Sequence, residues 1–117
     1  MRQPKEMPHA EINYSNDISI DFNKLFVAIE NTINQLDPSA GICKCRAYPS
    51  ATYRHTHVLV TVSLLIKSHR DEVFTQELMK ALELTIKSHL KKTCYFSLLI
   101  TYNPSQYITN HHNPSPS

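Results

Sequence analysis

The stretch that decides the fold is His57-Val58-Leu59-Val60-Thr61-Val62-Ser63-Leu64-Leu65-Ile66. Every even-numbered position in it is apolar: Val58, Val60, Val62, Leu64 and Ile66. The odd-numbered positions are mixed: His57, Leu59, Thr61, Ser63 and Leu65. Alternation with a period of two is typical of a β-strand that is buried on one face. We therefore predict a central strand over 57–66, with one face in the core and the other less apolar.

A helical pattern lies on each side of this strand. Before it, apolar residues recur every three or four positions: Phe22, Leu25, Phe26, Ile29, Ile33 and Leu36. Asp21 is suited to cap the start of this helix, and Asp37-Pro38 predicts its end. After the strand, Asp71 is suited to cap a second helix. We predict that this second helix runs to about Lys91, with basic residues in its last turn.

Shorter strands are predicted over 9–14, 42–48 and 95–102, with a polar connection over 49–56. The element order is then strand–helix–strand, repeated once, and such units favour parallel pairing with right-handed crossovers. Two helices cover only one face of a four-stranded sheet. The other face, which carries Leu59 and Leu65, would remain exposed, so we predict a homo-oligomer.

The two ends of the chain differ in composition from the part between them. Pro4 and Pro8, with charges between them, indicate unstructured or edge sequence over residues 1–8. The last residues are rich in Pro, Asn, Ser and His. We therefore divide the chain into a segment 1–7 (an N-terminal extension or a misassigned start), a domain 8–102 and a C-terminal tail or arm 103–117.

Length and composition exclude several classes of protein. The 117 residues suffice for one domain, and the net charge of +2 is too small to indicate a nucleic-acid partner. There is no apolar run long enough to span a membrane and no signal-peptide pattern at the start. Three cysteines do not make a disulfide framework, so we expect a reduced, cytoplasmic protein. Gly41 is the only glycine, which excludes glycine-rich loops for nucleotide cofactors.

Three short motifs, taken together, resemble the 5-carboxymethyl-2-hydroxymuconate isomerase family of the tautomerase superfamily. They are Met7-Pro8-His9 before the first strand, Lys44-Cys45-Arg46-Ala47 in the second, and His69-Arg70 before the second helix. The resemblance covers roughly residues 8–102. It implies an α+β protomer of two strand–helix–strand units, with a four-stranded sheet and two helices on one face, assembled as a homotrimer.

The resemblance also implies an activity and a site. The activity is a cofactor-free keto–enol and double-bond isomerisation of a carboxylated hydroxymuconate, formed in homoprotocatechuate catabolism. In that family the initiator methionine is removed and the amine of the proline that follows is the catalytic base, which assigns this role to Pro8. The predicted substrate-binding residues are Arg46, Arg70, Lys44 and His9. Arginine presents a planar fork of donors that matches a carboxylate.

Simpler interpretations of these residues stay open. Arg46 is also placed to form a salt bridge with Glu11, Arg70 to be an exposed residue before a helix, and His9 to be a hydrogen-bonded strand histidine. The Cys43 and Cys45 pair is typical of small buried residues. His55 and His57 lack an evident third ligand, so we predict no metal site.

The sequence departs from the family pattern at two places. Six residues precede Met7, and a proline inside a chain has an amide nitrogen, which is not basic. Either the functional chain begins at Met7, or the protein is a non-catalytic or divergent homologue that binds a small carboxylate. The second departure is His69, where the family commonly has glycine; its larger side chain would narrow the pocket.

Overall fold

The computed structural model describes residues 6–114. Within them the elements are β1 (His9–Ser15), α1 (Phe22–Leu36), β2 (Lys44–Ser50), β3 (His57–Leu65), α2 (Glu72–Lys87) and β4 (Tyr95–Asn103). The predicted order of two strand–helix–strand units is therefore confirmed. Of the segments predicted to be an extension and a tail, residues 1–5 and 115–117 lie outside this range.

The four strands form one mixed sheet in the order β2-β1-β3-β4. Each strand–helix–strand unit pairs its own strands in parallel, β1 with β2 and β3 with β4, as the sequence predicts. The two units join where β1 runs antiparallel to β3, with His9 opposite Ser63 and Ile12 opposite Val60. As a result, the starts of β1 and β2 lie at the same end of the sheet as the ends of β3 and β4.

Both helices pack on one face of this sheet. The buried apolar residues of β1 and β3 lie on that face: Ala10, Ile12, Val58, Val60, Val62 and Leu64. They meet a helical layer whose buried apolar residues are Leu25, Ile29, Ile33, Leu78, Leu82 and Ile86. The helices also contact each other, and the hydroxyls of Thr32 and Thr85 are hydrogen-bonded at 3.0 Å. The prediction that the even-numbered apolar residues of the central strand face the core is thus confirmed for Val58, Val60, Val62 and Leu64.

Several predicted boundaries differ from the observed ones. The second helix ends at Lys87 rather than near Lys91, because a tight turn follows in which the His89 N–H donates to Ile86 O at 2.9 Å. The central strand ends at Leu65, and Ile66 is 64% exposed rather than part of the core. β2 begins two residues later than predicted and includes Pro49, which is tolerated because β2 is an edge strand.

The C-terminal residues leave the end of β4 and turn back across the sheet. The Lys44 Nζ, on the opposite edge strand, donates to the Thr109 hydroxyl at 3.3 Å. Four strands at about 4.8 Å spacing span roughly 14 Å, which six residues of extended chain easily cover. This segment therefore passes the ends of β3 and β1 on its way to β2. Neither helix in residues 6–114 is long and apolar enough to cross a membrane.

Candidate functional site

Pro8 lies at the end of the sheet where β1 begins, and it is buried. Its carbonyl oxygen accepts a hydrogen bond from the Lys44 N–H at 2.8 Å, which ties it to the start of β2. The residue before it, Met7, donates its N–H to Ala40 O at 3.1 Å. Pro8 is thus held inside a continuous chain, and its nitrogen is an amide in the described structure.

A first polar group, the open-face group, consists of His9, Glu11, Lys44, Arg46 and Tyr48. These residues lie on the face of the sheet away from the helices, because they alternate with core-facing residues of β1 and β2. Arg46 forms an ion pair with Glu11, and its Nε donates to the Tyr48 hydroxyl at 2.7 Å. The Arg46 side chain is 40% exposed, so a ligand in solvent can reach it.

His9 is held in one protonation state by this group. Burial lowers the pKa of its imidazole, and the charges of Lys44 and Arg46 lower it further, against the opposing effect of Glu11. The His9 Nδ1 lies 2.9 Å from the Arg46 Nη1. Because a guanidinium only donates hydrogen bonds, Nδ1 must accept, which leaves the proton of the neutral ring on Nε2. His9 can therefore donate to a ligand through Nε2 at neutral pH.

Arg70 belongs to a second polar group, at the turn between β3 and α2. Its side chain is 0% exposed. Its Nη1 donates to Leu65 O at 2.8 Å and to a Glu6 carboxylate oxygen at 2.8 Å, and its Nε donates to Asp37 Oδ2 at 2.9 Å. Arg70 is thus fully enclosed in the described protomer, unlike the exposed arginine that the sequence also allowed.

Asp37 is the second carboxylate on this arginine, and it is buried. Burial alone would raise the pKa of its carboxyl, but hydrogen bonds from Ser39, His69 and Arg70 hold that pKa well below its usual range. His69 contributes through its Nε2, 2.8 Å from Asp37 Oδ2, while half of its side chain remains exposed. His69 therefore supports the partner of the buried arginine from the solvent side.

Glu6 is the residue of this group that sequence reasoning missed. It is 1% exposed, although the surrounding segment was predicted to be unstructured or edge sequence. Its carboxylate pairs with Arg70 and lies 3.5 Å from the Lys67 Nζ, and it accepts from the Leu65 N–H. A lone acidic residue between Lys5 and Met7 carries no periodic signal that could have marked it as buried.

The structure therefore divides the predicted site residues between two places. His9, Lys44 and Arg46 lie together on the open face. His9 follows Pro8 in the chain, the Lys44 N–H donates to the Pro8 carbonyl, and Arg46 lies further along the sheet, opposite Glu11. Arg70 lies apart from them, in the second polar group with Glu6 and Asp37, which we call the buried group. Both groups are at the same end of the sheet, where β1 begins and β3 ends.

A cleft of about 520 Å³ opens at this end of the sheet. It is lined by Leu65, Ile66, Asn103, Pro104, Ser105 and Tyr107. Leu65 connects the cleft to the buried group, because its N–H and carbonyl contact Glu6 and Arg70. The volume falls within the range of pockets that hold small organic ligands.

Cys43 and Cys45 lie at the start of β2, at this same end of the sheet, but on the core side, and Cys94 lies at the opposite end, just before β4. The Sγ atoms of Cys43 and Cys45 are 3.7 Å apart, and the three cysteines of the chain are free thiols. Within residues 6–114, no three His, Cys, Asp or Glu side chains are grouped closely enough to hold a metal ion. The predicted site residues thus all lie at the Pro8 end, while Asp17 accepts from Thr56 and Lys92 at the opposite end of the sheet.

Comparison with known proteins supports the fold through structure and not through sequence. No family model and no curated protein matches the sequence. A 5-carboxymethyl-2-hydroxymuconate isomerase from Deinococcus radiodurans R1 superposes with a TM-score of 0.70 at 19% identity, over 93% of this chain and 92% of that one. A fused 4-OT wild-type symmetric trimer also gives a TM-score of 0.70, at 15% identity, over 92% and 94% of the two chains.

The same architecture carries more than one chemistry among these structures. FG41 malonate semialdehyde decarboxylase gives a TM-score of 0.56 at 12% identity, over 89% of this chain and 90% of that one. Together the matches define the class: the chain has the α+β tautomerase fold that the resemblance implied. At these identities the likeness establishes the fold alone, and the activity has to be argued from the site.

Proposed function

We propose that this protein is a cofactor-independent isomerase of the tautomerase type, acting on a carboxylated hydroxymuconate-type dienol. Its active form begins at Pro8. The observation that carries the proposal is the group of Lys44, Arg46 and His9: two cations and one neutral donor on the open face of the two strands that begin beside Pro8. A dicarboxylate with a conjugated system between its charges matches such a surface.

A free Pro8 would be a secondary amine suited to act as the base. An α-amino group ordinarily titrates at about 7.7–8.0. Burial and the neighbouring cations disfavour its protonated form and would lower the pKa of the Pro8 amine towards neutrality. Such a base removes a proton from the enol or the adjacent carbon and returns it elsewhere along the conjugated system.

Arg46 would bind a substrate carboxylate and stabilise the negative charge of the dienolate as it develops. Its ion pair with Glu11 is half exposed, so solvent screening makes it weak enough to exchange for a ligand. Lys44 and the His9 Nε2–H would make secondary contacts. Arg70 is proposed as a second carboxylate contact, in a form of the chain that lacks Glu6.

The test compares the full chain with a chain that starts at Met7. Removal of Met7, checked by intact mass, leaves the Pro8 amine free. We expect the shorter protein to ketonise 2-hydroxymuconate and the full chain to be inactive. Arg46→Gln in the shorter protein should raise KM about tenfold or more, since a charged hydrogen bond contributes about 1.5–3 kcal/mol.

The matched control is Lys80→Gln, which removes an exposed charge from α2, away from the proposed site. It should leave the kinetics unchanged. A shorter protein that has the correct mass and a folded circular dichroism spectrum but no activity would refute the isomerase proposal.

A second candidate function is supported by the burial of Glu6. In the full chain Pro8 is blocked, and the protein would then be a non-catalytic carrier of a small carboxylate that uses Arg46. It predicts binding of muconate by the full chain in calorimetry, lost on Arg46→Gln, without turnover. The assembly proposed for either candidate is a homotrimer, with a small carboxylated molecule as the ligand and no nucleic-acid, membrane or cofactor partner.

A further inference from the structure

We propose that the Glu6 carboxylate is an internal ligand. It occupies an anion site that takes a small organic carboxylate when Glu6 is absent. The site consists of the Leu65 N–H, the Lys67 ammonium and the Arg70 guanidinium, and we call it the Glu6 site. Three donors converge on one carboxylate there: Arg70 Nη1 at 2.8 Å, Lys67 Nζ at 3.5 Å, and the Leu65 N–H.

Each side-chain donor is held in place by a contact that does not involve Glu6. Arg70 is anchored by Asp37 through its Nε at 2.9 Å and by Leu65 O through its Nη1 at 2.8 Å. The Lys67 Nζ donates to the Ser39 hydroxyl at 2.9 Å. The Leu65 N–H is fixed as part of a strand. The Glu6 site is therefore preorganised and does not depend on Glu6 for its shape.

One of the contacts between Glu6 and Arg70 departs from ideal hydrogen-bond geometry, and the backbone beside Glu6 is strained. The Arg70 Nη2 lies 2.6 Å from Glu6 Oε1, close enough for an ion pair, yet neither atom has a hydrogen bond of good geometry within residues 6–114. The next residue, Met7, has a φ of 61°, in the left-handed region that non-glycine residues avoid. The backbone thus accepts strain of about 1–3 kcal/mol next to the residue that delivers the carboxylate.

The cleft at the end of the sheet lies beside the site. Leu65 contributes to the Glu6 site through its backbone and also lines the cleft of about 520 Å³ at the end of the sheet. Glu6 is two residues from Pro8, a distance of at most about 7 Å along the chain. A free carboxylate in the Glu6 site would therefore lie near the start of β1, and Glu6 excludes it from there.

Chemical rescue of the full chain tests the inference. Glu6→Ala removes the internal carboxylate with the methylene next to it and so vacates the anion site. We expect this variant in 50 mM sodium chloride to melt about 10 °C or more below the wild type, because Arg70 loses a buried partner. Replacing the chloride with 50 mM sodium propionate should recover at least about a third of that loss and leave the wild-type Tm unchanged.

The matched control is Glu30→Ala, which removes a carboxylate that accepts only a backbone N–H, that of Cys43 at 2.7 Å, among the hydrogen bonds of the described chain. Propionate should raise the Tm of Glu30→Ala by no more than it raises the Tm of the wild type. If Glu6→Ala is unfolded in chloride, circular dichroism in propionate decides: recovery of the folded spectrum supports the inference, and an unfolded chain in both salts overturns it. A propionate shift equal to that of Glu30→Ala overturns it as well.

Arg70 belongs both to the Glu6 site and to the proposed active site. The Glu6 site rests on the proposed function in one respect only, which is that a substrate supplies the free carboxylate. The rescue uses the full chain, in which Pro8 is blocked, and it requires no turnover. Rescue without activity in the shorter protein would therefore refute the isomerase alone. Activity without rescue would refute the Glu6 site alone.

Discussion

His9 and Arg46 come from two different motifs of the sequence, and Arg46 helps to determine the protonation state of His9. The two side chains lie on adjacent strands of the open face, and the arginine can only donate, so the histidine is neutral and accepts through Nδ1. The charge of Arg46 and the charge of Lys44 both act in the same direction as burial, which lowers the pKa of His9. A titration of this one imidazole therefore reports on the whole open-face group.

We predict that His9 titrates below 6.5 and that Arg46→Gln moves its pKa upward. Removing the guanidinium removes one of the charges that oppose protonation. Because the folded pKa is lowered, the stability from neutral His9 is complete above the unfolded pKa of about 6.5 and is lost as pH falls below it. NMR titration of the imidazole carbons measures both values. A midpoint above 6.5 in the wild type would contradict the prediction.

Asp37 has a pKa held far below that of an ordinary carboxyl, and the sign of its pH effect follows. Its contribution to stability is present above the unfolded pKa of about 3.9 and is lost as pH falls through the folded pKa. We predict that Asp37→Asn costs about 3–5 kcal/mol at pH 7, because it removes a buried partner of Arg70. Urea unfolding at pH 7, 5 and 3 should also show that Asp37→Asn loses less stability than the wild type as the pH falls.

The control for Asp37→Asn is Asp21→Asn at the exposed start of α1. Asparagine caps a helix about as well as aspartate, so this variant should stay within about 0.5 kcal/mol of the wild type at pH 7. An Asp37→Asn protein that unfolds at the same urea concentration as this control would show that Arg70 does not depend on Asp37.

At the scale of residues, the sequence supports part of the site. Lys44 and Arg46, two residues apart in a segment predicted to be a strand, lie on one face of β2, since strand side chains alternate. The alternative salt bridge from Arg46 to Glu11 is also present. Glu6 and Asp37 could not be found as partners of Arg70, because those pairs join residues far apart in the chain through a turn whose path no local pattern encodes.

At the scale of elements, polar caps predicted helix starts better than apolar spacing predicted helix ends. Asp21 and Asp71 both accept from the N–H three residues later, as the capping pattern requires. The end of α2 has no glycine or proline to mark it. The helix stops at Lys87 because the chain must turn towards β4. Leu90, in the segment between α2 and β4, packs against the core.

Asp71 should be the more informative cap to remove, because its side chain accepts from the Phe74 N–H at 2.9 Å and α2 follows the Arg70 turn directly. We predict that Asp71→Ala lowers the free energy of unfolding by about 1 kcal/mol. Glu77→Ala, an exposed change in the middle of the same helix, should cost less than about 0.5 kcal/mol. Equal costs in urea unfolding would show that the cap does not stabilise α2.

At the scale of the whole molecule, the helices leave one face of the sheet without a covering layer. Large apolar side chains on that face stay in solvent, Leu59 at 39% and Leu99 at 51% exposed. Their strands pair in register, with Leu59 opposite Ser97, so these residues lie on one continuous surface with Leu65. The same surface continues to the open-face group on β1 and β2. Covering it by other copies of the chain would bring Arg46 close to a subunit boundary.

We predict that the wild-type protein is a trimer and that Leu99→Lys dissociates it. A lysine in the middle of a buried interface leaves an unpaired charge there, which costs several kcal/mol. Light scattering after size exclusion should give about 40 kDa for the wild type and 13.5 kDa, the mass of one chain, for the variant. Val73→Lys, on the outer side of α2 and 67% exposed, should remain trimeric. A wild-type mass of one chain would leave the open face to a ligand or another partner, and Arg46 would then act within a single protomer.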